Sequence, residues 1–301
     1  MRARHFGRVM SAMVTPFDPA GRLDLDAARR LARWLVDHGH DGLVVAGTTG
    51  EASTLSDSEL CDLVAAVAEA VTVPVVAGAG SNDTAHSVAL TSKAQDLGAA
   101  GVLAVAPYYN RPPQAGIEAH FRAMAAATDL PVMLYDVPLR TGRRVAQDVL
   151  LRLFREVPNI AAFKDATGDA ASSAALVAQA GEHFDLYSGD DAATLPLLAC
   201  GAVGVVGTTT HWTAPWFVRM LDAFGAGDIA LARRLHAQLL PSFRFVNDDD
   251  CVYAMSVKAT LDVLGQPVGD CRLPLPPAPA VKREQAREVW RQLSGQEAAR
   301  Q

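Results

Sequence analysis

The chain has 301 residues, 50% hydrophobic and 20% charged, with 27 Lys and Arg against 33 Asp and Glu and a formal net charge of -6. That describes a globular chain long enough for one α/β barrel with an appendage, and it argues against nucleic-acid binding, which calls for a basic face. Cys61, Cys200, Cys251 and Cys271 are scattered and form no Cys-x-x-Cys pair, no apolar h-region follows the first residues, and no apolar run reaches the roughly 18 residues of a membrane span; the expectation is a cytoplasmic chain with reduced thiols and no membrane contact.

Apolar, β-branched runs recur along the chain. They are 9–14, 42–46, 73–77, 101–106, 131–135, 160–164, 185–188 and 202–206, and the first six begin about 30 residues apart. Helix-period stretches lie between them. Examples are 27–38, 58–70 and 83–97, each opening near a Ser, Asp or Thr that can cap a helix. Continuous apolar strands alternating with helices indicate a parallel sheet covered on both faces. The expected fold is α/β, a (β/α)8 TIM barrel over residues 1–224. An open doubly wound sheet is the runner-up, but no dinucleotide fingerprint follows the first strand. From 225 to 301 a helical extension is expected, with helices over 229–240, 254–264 and 281–293 and a Pro-rich connector at 273–279. A further helix at 216–224 closes the barrel region.

Barrel chemistry sits at the C-terminal ends of the strands. The sixth strand ends in Lys164. Only Lys93, Lys164, Lys258 and Lys282 are lysines among the 27 basic residues. A surface charge can be Lys or Arg, so most lysines need no special reason. At the mouth of a buried strand, desolvation lowers the amine's pKa and makes it a nucleophile, which a guanidinium cannot become. Lys164 is therefore a candidate Schiff-base lysine; a side chain snorkelling to water is the alternative. The second strand leads into Gly47-Thr48-Thr49-Gly50-Glu51, whose hydroxyls and backbone N–H groups can hold a carboxylate. Pro107-Tyr108-Tyr109-Asn110-Arg111-Pro112 follows the fourth strand. The fifth ends in Tyr135-Asp136-Val137-Pro138, with Arg140 in the loop above. Ser188-Gly189-Asp190-Asp191 follows the seventh, and Gly207-Thr208-Thr209-Thr210 the eighth. A lysine, tyrosines, threonines and an arginine on one rim suit covalent carbonyl chemistry.

Other features read as structure. His38-Gly39-His40 is expected as a surface turn, 78–82 as a plain turn, and Asp248-Asp249-Asp250 as a solvated run at a helix start. The eight histidines form no metal cluster, which disfavours a zinc-dependent aldolase.

The motifs at 47–51, 107–112, 135–138 and Lys164-Asp165-Ala166-Thr167-Gly168 resemble those of the dihydrodipicolinate synthase/N-acetylneuraminate lyase family, and the resemblance spans nearly the whole chain. It implies a pyruvate-dependent class I aldolase that needs no cofactor or metal. Lys164 would form the imine, and Thr48 and Thr49 would bind the pyruvate carboxylate. Tyr135 would be the general acid/base, linked through Thr49 to Tyr109, which would serve the neighbouring subunit of a homotetramer. Gly189 and Val206 would line the substrate site. Arg140 matches the arginine that holds the carboxylate of aspartate 4-semialdehyde in the synthases of the family, which implies lysine and diaminopimelate biosynthesis; a paralogous aldolase or lyase for another aldehyde or 2-oxo sugar acid is the alternative. Asp136 stands where many synthases have Asn and is expected to alter the charge beside Tyr135, and 208–212 and 247–250 also depart from the usual loops. The positions implied to meet a lysine regulator carry Ala52, Ser53, Asp57, Leu60, Asn82, His86 and Tyr108, so weak or absent lysine inhibition is expected.

Overall fold

The computed structural model describes residues 5–181, 184–246, 248 and 251–298. Eight parallel strands close on themselves in chain order: β1 (Val9–Ala12), β2 (Gly42–Val45), β3 (Val75–Gly78), β4 (Gly101–Val105), β5 (Val132–Asp136), β6 (Ile160–Asp165), β7 (Asp185–Ser188) and β8 (Gly204–Gly207). β1 pairs with β8 through Val9 and Val205, which completes the barrel. The open-sheet alternative is thereby excluded, because an open sheet would leave both edges unpaired.

The helices are α1 (Leu25–Asp37), α2 (Asp57–Ala70), α3 (Thr84–Lys93), α4 (Gln114–Ala125), α5 (Pro138–Thr141), α6 (Gln147–Glu156), α7 (Ala170–Ala180), α8 (Thr194–Ala199), α9 (Thr210–Gly225), α10 (Ile229–Val246), α11 (Tyr253–Val263) and α12 (Ala280–Ala298). Local chemistry fixes several starts. The Asp24 carboxylate accepts from the Ala27 N–H, and Ser56 with Glu59 forms a reciprocal capping box at α2. Asp169 caps α7 through the Ser172 N–H.

Strand side chains alternate between two cores. Met10, Val44, Val76, Met133, Tyr187 and Val206 fill the barrel interior with Phe6. Their neighbours, such as Val9, Val45, Val75, Leu134, Phe163 and Val205, face the helices. Two expectations change. The helix expected from Trp216 begins at Thr210, because Thr210, His211, Trp212 and Thr213 are all buried and Thr213 Oγ1 donates to the Thr209 carbonyl at 2.8 Å. His40 is not part of a surface turn. It is buried, with Nε2 at 2.7 Å from Ser11 Oγ and Nδ1 at 2.6 Å from the Leu35 carbonyl, and burial drives its pKa down to about 3. In the acidic run, Asp249 and Asp250 lie outside the described residues, as does Asn247, whereas Asp248 accepts from the Cys251 N–H and pairs with Lys282.

The C-terminal helices are bolted to the barrel rim by a buried ion pair. Glu51 ends the turn after β2 in a left-handed conformation (φ 54°), and its carboxylate lies 2.8 Å from Lys258 Nζ on α11. The Arg272 N–H donates to its other oxygen at 2.8 Å. The Arg272 guanidinium forks onto Glu59 at 2.5 and 2.9 Å and donates to the carbonyls of Thr54 and Gly21. Removing one partner would strand a buried charge.

Consecutive residues on β5 and β6 point to opposite faces. Tyr135 pairs in register with Lys164 and Asp136 with Asp165. Tyr135 and Lys164 look into the barrel, while Asp136 and Asp165 line a cavity of about 350 Å³ among α6 and α7, with Gln114, Arg144 and Ser173. The expected effect of Asp136 on the charge beside Tyr135 is therefore small, since the strand's pleat separates them; it is the weakest influence on that phenol. Asp136 Oδ2 accepts from the Val145 N–H at 3.0 Å, but Oδ1 has no partner. Burial, reinforced by Asp165 and opposed by Arg144, pushes its pKa from 3.8 to about 7. Between those values the folded chain keeps a proton that the unfolded chain releases, so the stability contributed there falls as pH rises from about 4 to about 7. D136N has no such proton to lose. Urea unfolding at pH 4 should give equal stabilities, while at pH 8 the variant should be more stable by on the order of 2–4 kcal/mol; equal stabilities at both pH values would show that Asp136 ionises freely in the fold.

Candidate active site

Lys164 projects into the barrel mouth from the end of β6, flanked in register by Tyr135 and Tyr187. Only 5% of it is exposed, and its Nζ lies 4.3 Å from the centre of the Tyr135 ring. Burial brings its pKa from 10.5 down to about 8; the Asp191 carboxylate opposes that shift and the Arg140 guanidinium adds to it. The other lysines are not mostly surface residues, as expected from the sequence. Lys258 and Lys282 are also buried, and only Lys93 is exposed. What separates Lys164 is its company. Lys258 is paired with Glu51, and Lys282 donates to the Phe245 carbonyl at 2.5 Å and to Asp248. Among the described residues no carboxylate lies within ion-pair distance of Lys164. A desolvated amine without a counter-ion is one that releases its proton readily.

The Tyr135 phenol is buried, which raises its pKa to about 12, against the lowering effects of the Arg140 guanidinium and the Thr48 side chain. The turn after β2 enters through Ala46 at φ 57° and leaves through Glu51 at φ 54°. Thr48 is left exposed on the mouth, while Thr49 is buried behind it, beside Arg140 and Tyr253 in a cavity of about 190 Å³. Tyr108 and Tyr109 share a larger cavity of about 690 Å³ with Thr48, Tyr135 and Arg140. Tyr109 is 90% exposed and held at φ 70°, a conformation that costs a non-glycine residue on the order of 1 kcal/mol.

Gly189 and Val206 also sit at the site. A Cβ on Gly189 would lie 3.0 Å from Lys164 Cγ, so the backbone there must be bare for the lysine to extend. Val206 is buried in the barrel interior on β8. Two residues acquire importance that the sequence did not assign. Asp191 is fully enclosed, and it accepts from the N–H groups of Thr208 and Thr209 and from Thr209 Oγ1 at 2.9–3.3 Å. Burial still raises its pKa. Its signal was its place in the run after β7. Tyr253, one of only five tyrosines, lies at the start of α11 with its ring under the Arg140 guanidinium, 4.8 Å from ring centre to Cζ; no local pattern marks it. Among the described residues no group of three His, Cys, Asp or Glu side chains could hold a metal ion. A desolvated amine, a phenol, a threonine turn and a guanidinium with no carboxylate partner among the described residues are thus gathered at one mouth.

Comparison with known proteins agrees with this geometry. The family model described as the dihydrodipicolinate synthetase family matches residues 5–293. A 4-hydroxy-tetrahydrodipicolinate synthase of Acidothermus cellulolyticus is 49% identical over 291 residues, covering 96% of this chain and 92% of that one. The structure of a dihydrodipicolinate synthase from Cyanidioschyzon merolae with lysine bound superimposes with a TM-score of 0.93 at 41% identity, covering 97% and 99% of the two chains. Another, the first monomeric variant of a dihydrodipicolinate synthase, has a TM-score of 0.90 at 34% identity, covering 96% and 97%. With a closed eightfold barrel, a lysine at the end of β6 and a match running from residue 5 to residue 293, the chain belongs to the dihydrodipicolinate synthetase family.

Proposed function

We propose that the chain condenses pyruvate with L-aspartate 4-semialdehyde to give 4-hydroxy-tetrahydrodipicolinate, in lysine and diaminopimelate biosynthesis in the cytoplasm. The observation that carries the reading is the buried Lys164 amine, without an ion-pair partner among the described residues, above the Tyr135 ring. The naming of relatives nearly half identical over almost the full chain supports it. With a pKa of about 8, roughly a tenth of the amine is neutral at pH 7, against less than about a thousandth for an ordinary lysine.

The neutral amine attacks the pyruvate carbonyl carbon, and the carbinolamine loses water to give a protonated imine. Thr48 and Thr49 offer hydroxyls and backbone N–H groups to the pyruvate carboxylate, and Gly189 and Val206 shape the wall around it. Loss of a methyl proton gives the enamine, with the imine nitrogen as the electron sink, so no metal or organic cofactor is required. The enamine carbon bonds to the aldehyde carbon, and the new alkoxide takes a proton. The amino group of the former semialdehyde then attacks the imine carbon, closing the ring and expelling Lys164 as free amine. Tyr135 moves these protons, with Thr48 or Thr49 as its relay. Arg140 offers its planar fork to the semialdehyde carboxylate.

Tyr109 completes the relay in the partner's site. An aromatic side chain 90% exposed in a strained backbone conformation is supported by a second chain more readily than by water. The assembly we propose is a homotetramer built as a dimer of dimers. Lysine inhibition should be weak. Among the described residues Asp57 is the sole carboxylate lining the large cavity, and it lies 2.8 Å from His86, so a ligand ammonium must break that pair.

Borohydride reduction in the presence of pyruvate should leave a 1-carboxyethyl group on the Lys164 amine, read by peptide mass spectrometry, and K164A should show none; a pyruvate adduct elsewhere, or none at all, would refute the imine. Turnover with aspartate semialdehyde should exceed that with N-acetylmannosamine, glyceraldehyde or succinic semialdehyde, and the reverse order would make the chain an aldolase for another aldehyde. R140A should lose about 10²-fold or more in kcat/KM for aspartate semialdehyde while still forming the pyruvate imine, the cost of losing a charge-assisted bidentate contact. Free L-lysine should leave the rate almost unchanged, and a clear inhibition curve at low lysine concentration would contradict the reading of the Asp57–His86 wall.

A further inference from the structure

We infer that Tyr253, supplied by the C-terminal helical region, is a positioning residue that holds the Arg140 guanidinium for the carboxylate of the aldehyde substrate and so helps set aldehyde selectivity; this rests on the proposed reaction. Arg140 sits in α5, a single turn of helix in the loop after β5, and both it and Leu139 are exposed. A long side chain on such a turn has many rotamers and would lose them on binding substrate. No described carboxylate holds it. Its described side-chain contact is the face of the Tyr253 ring, 4.8 Å from Cζ. A guanidinium stacked on an aromatic face keeps its N–H edge free, and the edge is what forks onto a carboxylate.

Tyr253 is fixed where Arg140 is not. It is half-buried at the first position of α11, an eleven-residue helix whose Lys258 is locked into the buried pair with Glu51. Tyr253, Arg140, Thr48 and Thr49 line one cavity of about 190 Å³, with Pro274 and Leu275 also on its wall. The ring, the arginine and the threonine turn therefore face one space. Both Arg140 and Tyr253 also act electrostatically on Tyr135, in opposite senses, so the stacked pair stands close to the reacting groups while Tyr253 itself need touch none of them.

The experiment compares wild type, Y253F and Y253L, each alone and with R140A, in steady-state turnover of pyruvate and aspartate semialdehyde, together with borohydride trapping of the imine. Y253F keeps the aromatic face and should keep the KM for aspartate semialdehyde within about threefold. Y253L should raise that KM by about 5- to 30-fold, the range of a partly desolvated cation–π contact, with the pyruvate KM and the trapped imine unchanged. In the R140A background, Y253L should add less than about twofold, because the residue acts through the arginine. An unchanged semialdehyde KM in Y253L, an equal rise in both KM values, or a full additional loss on top of R140A would each overturn the inference. Wild type that forms the imine yet does not turn over aspartate semialdehyde would instead sink the proposed reaction, and this inference with it.

Discussion

The site depends on a lysine whose charge is not answered. Moving an ammonium group out of water costs several kcal/mol unless a carboxylate or carbonyl replaces the lost hydration. Two of the three buried lysines receive that replacement: Lys258 from Glu51 and the Asp270 carbonyl, Lys282 from Asp248 and the Phe245 carbonyl. Lys164 is given the face of Tyr135 and a more distant Asp191. A ring face attracts a cation weakly, which leaves the amine able to lose its proton. A direct carboxylate would hold the ammonium and suppress the nucleophile. Asp191, held by Thr208 and Thr209, opposes the fall in the Lys164 pKa from beyond ion-pair distance, without a pair that would stop the amine from losing its proton.

The partnered lysines serve the same site indirectly. Lys258 and Arg272 converge on Glu51, the last residue of the turn that carries Thr48 and Thr49. The turn is a strained link, with left-handed residues at both ends, and such geometry persists only where its surroundings enforce it. The C-terminal helices thus do two things with one contact. They brace the threonine turn from behind, and they bring the start of α11 over the barrel mouth, where Tyr253 meets Arg140. The barrel alone would carry Lys164 and Tyr135, whose placement is set by the strands, but the position of Arg140 depends on an element more than 100 residues later in the chain.

The strands were legible because each is a short apolar run whose burial follows from composition alone, and all eight lie where those runs stand. Helix ends were less so. The start of α9 was missed because Thr209, Thr210, His211 and Thr213 are polar in sequence yet buried and hydrogen-bonded among themselves and to Met10, Val14 and Asp191. His40 was misread for the same reason: its partner, Ser11, is 29 residues away. That Lys164, Tyr135, Thr48 and Arg140 lie at one mouth could be read from their places at strand ends and from the family motifs. That Thr48 is exposed and Thr49 buried could not, because it turns on φ angles at Ala46 and Glu51 that favour no sequence signature. Tyr253 lay beyond reach, since nothing in its own neighbourhood says that α11 folds back over the rim.

Burial alone does not make a functional group, and β5 and β6 show this side by side. Tyr135 and Lys164 face the interior, Asp136 and Asp165 the helices. The same desolvation that brings Lys164 down to about 8 brings Asp136 up to about 7. Both pKa values lie close to physiological pH, yet the two groups differ in what surrounds them. Beside Lys164 stands the Tyr135 phenol, which shares a cavity of about 690 Å³ with Thr48 and Arg140. Around Asp136 stand the Val145 N–H, Asp165 and Arg144, behind a wall of helices. A perturbed pKa marks a candidate, and the neighbouring proton carriers and anion-binding groups decide whether it can react. On that criterion the inner face of the pleat is the chemical one, and the outer face carries a cost in stability that a single amide would remove.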